Sequence, residues 1–281
     1  MIKFYLYKHG GYLLVCLFIL LFSACDKKAV VPDLEEFTRA DREKLGDFIE
    51  WEMTNDGIYD ILPQAAPYDT LYWYTQKLYN QAISVLQRDQ QSPANNRWAN
   101  GRSWDVLIFE GAEKSAFVLP GGNLYLSTGL LKSLEKEYEL YYFLAFEANI
   151  MHEDFLLKQL VREYNAITLR NVISGSAPAN STTLDIIARE LPALVFETET
   201  VESIDGATLE TICQTSVYDR VGIAPFILNS SNDEAAWLAS RKSYNGRPEH
   251  LEAIEIEGDF DCGSFKGNGF YSKYVLDVLA N

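Results

Sequence analysis

The stretch from Ser115 to Leu160, SAFVLPGGNLYLSTGLLKSLEKEYELYYFLAFEANIMHEDFLLKQL, constrains the fold more than any other part of the chain. An apolar run ending at Leu119 meets Pro120-Gly121-Gly122, which breaks extended structure and supplies the positive φ angles a tight turn needs. A second short apolar run, Leu124 to Ser127, follows. The two runs are therefore expected to pair across the turn and place a small sheet beside whatever comes next. After a short helix around Gly129-Leu130-Leu131, one long helix is expected from Glu135 to Tyr164. There Phe143, Phe146, Ile150, Leu157 and Leu160 recur at helical spacing and form one apolar stripe.

Flanking segments extend this pattern. Leu34 to Met53 carries Leu34, Phe37, Leu45, Phe48 and Ile49 on one helical stripe. Thr70 to Gln87 repeats Leu71, Tyr74, Leu78, Ala82 and Val85 at three and four. Trp104 to Glu110 reads as a strand that is apolar on both faces, hence buried on both. Ser174 to Thr183 reads as a loop and Leu184 to Leu194 as a helix ending near Pro192. Glu197 to Glu202 reads as a solvated acidic surface. The fold class expected is α+β, mainly helical, with a small β-sheet next to one long helix.

The motifs of this central stretch resemble those of the zinc metallopeptidases of family M forty-eight, which includes the CAAX prenyl protease and the bacterial HtpX and BepA proteases. Ala116-Phe117, Pro120-Gly121-Gly122, Gly129-Leu130-Leu131, Glu139-Leu140, Leu144-Ala145 and Glu147 fall in register with the family's active-site segment. The resemblance implies a zincin-like domain. Two histidines at i and i+4 on one helix face would hold Zn²⁺, and the glutamate after the first would act as general base. In this chain the H-E-x-x-H positions read Phe146-Glu147-Ala148-Asn149-Ile150, so the glutamate remains and neither histidine does. The family's third ligand, a glutamate four residues before an aspartate, falls on Thr215 in Thr215-Ser216-Val217-Tyr218-Asp219-Arg220-Val221-Gly222. A fainter match places Arg247-Pro248 on the family's His-Pro.

With Phe146, Ile150 and Thr215 at the former ligand positions, no catalytic residue and no zinc are expected, and Glu147 is a relic of the general base. An oxygen-ligand site made from Glu147, Glu153 and Asp219 is the alternative, set against the plainer reading that these acids are solvated or capped. His152, six residues after Phe146, points away from the old ligand face, and His250 reads as a surface residue. The strand expected to flank the cleft, Asn123, Leu124, Tyr125, Leu126 and Ser127, is the candidate edge for capturing a polypeptide by strand addition. Neither a G-x-S-x-G elbow nor a Walker loop nor a dinucleotide fingerprint occurs.

Lys3 and Lys8, the apolar run Tyr12 to Phe22 and Ser23-Ala24-Cys25 read as a lipoprotein signal over residues 1–24. Cys25 would be the lipidated residue and 25–33 a tether; 34–281 would form a single domain. The expected setting is the envelope of a Gram-negative bacterium, with the protein lipid-anchored at the outer membrane and facing the periplasm. The net charge of −16 and the absence of any basic cluster longer than Lys27-Lys28 argue against nucleic acid as a partner. Removing residues 1–24 leaves 22 basic against 40 acidic residues, a net charge of −18. In an oxidising compartment Cys213 and Cys262 are a candidate disulfide, the other reading being two buried thiols.

Three functions follow as expectations. The first is a non-catalytic pseudopeptidase serving as a protein-binding or assembly module, whose partner is an envelope protein or polypeptide segment and whose membrane contact is the lipid. The second is a metalloendopeptidase with the unconventional acidic site. The third is a glycan-binding lipoprotein using some of its 17 Tyr and 5 Trp, although Trp73, Tyr74, Tyr141 and Tyr142 lie in helical patterns that suit packing.

Overall fold

A computed structural model of the chain describes residues 34, 37–88, 104–175, 180–219, 246–257, 262–264, 267 and 269–280. These belong to one unit, Leu34–Asn281; the other unit, Met1–Asp33, lies outside the described residues, as do the expected signal and Cys25. Helix α1 (Arg39–Asn55) starts at a capping box. The Thr38 hydroxyl accepts from the Asp41 N–H at 3.2 Å, and the Asp41 carboxylate accepts from the Thr38 N–H at 2.9 Å. Strand β1 (Asp60–Ile61) and helix α2 (Asp69–Arg88) follow. The expected α2 stripe, Leu71, Tyr74, Leu78, Ala82 and Val85, is buried throughout.

Strands β2 (Val106–Glu110), β3 (Ala116–Val118) and β4 (Leu124–Ser127) complete a four-stranded mixed sheet in the order β1-β2-β4-β3. β3 and β4 pair antiparallel, with Phe117 opposite Tyr125. β2 runs parallel to β4, with Ile108 opposite Leu126. At the turn between β3 and β4, Gly121 and Gly122 have φ of 98° and 106°, values that side chains rarely tolerate. Helix α1 crosses this turn so closely that a Cβ on Gly46 would lie 1.6 Å from the Pro120 carbonyl oxygen. Glycine is required there by contact rather than by conformation.

The remaining helices are α3 (Thr128–Ser133), α4 (Glu137–His152), α5 (Phe155–Tyr164), α6 (Ala166–Ser174), α7 (Asn180–Glu190), α8 (Thr198–Gln214) and α9 (Arg247–Glu257). A 3-10 turn lies at Leu191–Ala193, and a π-helical turn at Ser272–Leu276 runs into α10 (Asp277–Leu279). The architecture is α+β, mainly helical with one small sheet. Helix α4 is its centre, packed against α2, α8, α5 and β3.

Two local expectations are corrected. The long helix is two helices, because Asp154 adopts a left-handed conformation (φ 59°) between α4 and α5 and is held there by Arg42 at 2.5 Å. Asn180 to Thr183 is helical rather than loop, whereas 176–179 lie outside the described residues. The acids of the Glu197–Glu202 run are exposed or partly exposed, as expected, and stand at the start of α8, where carboxylates favour the positive end of the helix dipole; Glu197 also pairs with Arg162. Cys213 at the end of α8 is disulfide-bonded to Cys262, with Cα atoms 4.1 Å apart. Closing a loop of that sequence separation, 49, stabilises the fold by about 3–4 kcal/mol on a chain-entropy estimate.

Candidate functional site

The site is built on α4, whose first turn is anchored by acids. The Glu139 carboxylate accepts the N–H groups of Glu135 (2.7 Å) and Lys136 (3.0 Å). Glu137 accepts the hydroxyls of Tyr74 and of Tyr218, the latter at 2.9 Å. These are carboxylates at a helix N-terminus, where the exposed N–H groups favour negative charge. Burial and then Glu139 push the neighbouring Tyr138 hydroxyl up to about 12. Beyond this turn every residue as far as Met151 is buried.

Glu147, the glutamate expected as a relic of a general base, is fully buried, and its Oε2 accepts the Val118 N–H of β3 at 3.2 Å. Val118 is on the outer strand of the sheet, so Glu147 occupies one of the backbone donors that strand addition would use. Phe146 and Ile150 are buried as well. The Phe146 ring lies beside Tyr142 (centroids 5.9 Å) and under the guanidinium of Arg247, 5.2 Å from the ring centroid.

Arg247, which the sequence matched only faintly to the family's His-Pro, has a buried partnership that sequence reading did not foresee. It is the first residue of α9, has no solvent exposure, and forms a two-pronged ion pair with Asp205 of α8 (Nε–Oδ2 2.9 Å, Nη2–Oδ1 2.7 Å). Its Nη2 also donates to the Tyr142 hydroxyl at 2.9 Å, and that hydroxyl donates to Asp205 Oδ1 at 2.7 Å. Burial works against the Arg247 charge, but Asp205 and Tyr142 more than offset it, so the guanidinium is held protonated. The Tyr142 hydroxyl is pushed well above its ordinary range, chiefly by burial. One turn of α4 thus supports a closed Tyr142–Asp205–Arg247 network over Phe146, with both charges paired and hydrogen-bonded. No protein-family model matches the chain, and no curated protein matches it.

Asp205 was legible in one respect. It lies among Val201, Ile204, Thr208, Leu209 and Ile212 on the buried face of α8, and an acid in such a stripe calls for a buried cation. The sequence contains many arginines and does not say which one meets it.

The register between α4 and α8 places the remaining predicted residues. Tyr142 meets Asp205, and the Asn149 side chain donates to Thr211 Oγ1 at 3.1 Å and to the Ala145 carbonyl at 2.9 Å. Thr215 lies one turn beyond Thr211, at the partly exposed end of α8. Its hydroxyl donates to the Ile212 carbonyl at 2.7 Å. The level of Phe146 falls between the Asp205 and Thr211 contacts, so Thr215 is not opposite it.

The alternative acidic site is not assembled. Glu147 is sealed, Glu153 is exposed at the C-cap of α4 beside His152 (3.5 Å), and Asp219 lies half-buried in the turn after α8. Their carboxylates are not gathered within coordination distance of one another. His152 and His250 are half-buried.

The expected binding edge is also corrected. β4 is an interior strand with β2 on one side and β3 on the other, and Leu124, Tyr125, Leu126 and Ser127 are buried. Asn123 is held by Glu50 Oε2 at 2.9 Å and by the Asp105 N–H at 3.2 Å. The parallel partner β2 directly precedes β3 in the chain, but the β3–β4 hairpin alone does not say which of its two sides that strand fills. Among the described residues two surface grooves stand out, one at Asp41, Lys44, Arg170 and Ser174 and one at Gln159, Arg162 and Phe196. Neither includes Glu147.

Of the helical aromatics, Tyr74, Tyr141 and Tyr142 are buried, but Trp73 is 55% exposed. It meets Tyr274 edge-on (5.8 Å), Tyr274 in turn packs on the exposed Phe270 (5.8 Å), and Lys77 lies over the indole (5.4 Å). Among the described residues no helix is long and apolar enough to cross a membrane.

Proposed function

We propose that this chain is a zincin-like pseudopeptidase of the bacterial envelope, lipid-anchored through Cys25, which acts as a protein-binding or assembly module rather than as a hydrolase. One observation supports it above the others. The helix turn that would present metal to substrate carries Phe146 beneath the buried Arg247 guanidinium, itself neutralised by Asp205. The ion pair already meets the charge demand of Asp205 at this place, and phenylalanine and isoleucine offer no ligand atom. Glu147 hydrogen-bonds β3 and has no open side from which a peptide could approach. The partner, an envelope protein or polypeptide segment, would then be met on a surface other than β4.

A second reading, glycan binding, draws on the Trp73–Tyr274–Phe270 cluster, since an exposed aromatic platform can stack on a sugar face.

The test of the first reading is zinc analysis of the purified chain alongside peptide hydrolysis, each repeated with Glu147→Gln. Sub-stoichiometric zinc and no hydrolysis above the variant's background are expected. About one zinc per chain together with hydrolysis that Glu147→Gln abolishes would reverse the reading.

A further inference from the structure

Away from α4, the C-terminal end of α1 and the middle of α7 bring together three carboxylates, those of Glu52, Asp56 and Asp185. One oxygen of each lies within 4.8 Å of the others. Two oxygens bound to one Ca²⁺ at about 2.4 Å can be no farther apart than about 4.8 Å, a condition that all three carboxylates meet. Clustered acids alone do not make a site, because on a surface they are commonly solvated. What distinguishes this cluster is Glu52. It is 5% exposed, and its buried Oε2 has no hydrogen-bond partner. A carboxylate oxygen removed from water without a donor is costly, and the groups it faces are two more acids.

Two further features favour a cation. The cluster is at the C-terminus of α1, where the helix dipole presents its negative end, and Asp56 is the C-cap. The one basic group described there, Arg189 of α7, reaches Asp185 (2.6 Å) and Asp56 (3.6 Å). It is half-exposed and holds only part of the negative charge. Burial first, and then Asp56 and Asp185, push the Glu52 carboxyl up against the opposing effect of Arg189. The protein thus carries an unmet demand for positive charge at a position the guanidinium does not fill.

We propose that Glu52, Asp56 and Asp185 form a site for a hard divalent cation of the Ca²⁺ class that clamps α1 to α7. The three carboxylates supply a minority of the 6–8 oxygens such an ion takes, so water completes the shell. Arg189 swings away toward solvent when the ion enters. Three carboxylates and a largely open shell place the affinity on the order of 10⁻⁴ M, the range of extracellular calcium modules. The role is structural, because the site shares no residue with α4.

The experiment is calorimetric titration of the chelator-treated, purified full chain with CaCl₂, with melting temperature followed in parallel. It is repeated on Glu52→Gln and on Asp56→Asn. Glu52→Gln keeps the shape of the side chain, and Asp56→Asn changes a half-exposed position, so at least one folded variant is secured, checked by circular dichroism. Each removes one of 40 acidic residues, which leaves diffuse attraction of Ca²⁺ to an acidic chain almost unchanged. The expected result is one saturable site, a rise in melting temperature with Ca²⁺, and at least about tenfold weaker binding in both variants. Absence of saturable binding by the parent chain, or parental affinity in either variant, overturns the proposal.

Discussion

At the scale of single residues the centre of the fold is held by a buried ion pair over an aromatic ring. Tyr142 and Phe146 are one helical turn apart on α4. The first hydrogen-bonds Arg247 and the second lies beneath its guanidinium. Such a buried pair costs desolvation on both sides, so removing one partner is worse than removing both. Asp205→Asn is expected to destabilise the fold by about 3–5 kcal/mol, because it leaves the Arg247 charge without its counter-ion. Arg247→Met combined with Asp205→Leu should recover most of that loss. Urea unfolding of the single and double variants checks it, and additivity of the two single effects would show that the pair does not act as a unit. That Phe146 and Ile150 offer no ligand atom was legible from their identities alone. Which group filled the space was not, since Arg247 is far from both along the chain.

At the scale of elements, the join between α4 and α5 decides how the centre of the fold is closed. A left-handed residue lets the chain turn after His152, and without it α5 would continue along α4. Asp154 is tolerated in that conformation better than a residue with an apolar branch, and its nearly buried pair with Arg42 ties the join to α1. Asp154→Ala is expected to cost about 2–3 kcal/mol, from backbone strain together with a stranded Arg42, whereas Asp154→Gly should lose only the ion-pair part. Thermal unfolding of the two variants separates these contributions, and equal losses would remove the conformational one. Helix periodicity showed the apolar stripe on both sides of this join and so ran α4 into α5. Periodicity carries no information about one residue that leaves the helical region. The β3–β4 pairing, by contrast, was legible because a Pro-Gly-Gly turn leaves few ways to connect two short apolar runs.

At the scale of the whole molecule, the core encloses many tyrosines in the neutral form. Burial raises the hydroxyls of Tyr74, Tyr79, Tyr125, Tyr142, Tyr218 and Tyr271 well above their ordinary range, and that of Tyr138 to about 12. In the unfolded chain these groups ionise near 10. A raised folded value means that the folded state keeps its protons longer. The contribution is therefore fully present below pH of about 10 and is lost as pH climbs from there through the folded values. Each tyrosine adds a slope of about 1.4 kcal/mol per pH unit, so several together should give abrupt alkaline unfolding. Tyrosinate absorbance should appear in one step that coincides with the loss of helical circular dichroism. Gradual phenolate formation with the fold intact would contradict it.

The sequence by itself determined what local chemistry and spacing can carry. Its turn residues implied a small sheet and its periodicity the helices. Only the tertiary structure decided that β4 is interior, that Arg247 meets Asp205 over Phe146, and that Glu52 faces Asp56 and Asp185. The reason is physical. Hydrophobic period and turn preference act over a few residues, whereas the side on which a strand pairs, a buried ion pair and a convergence of carboxylates depend on which separate segments packing brings together.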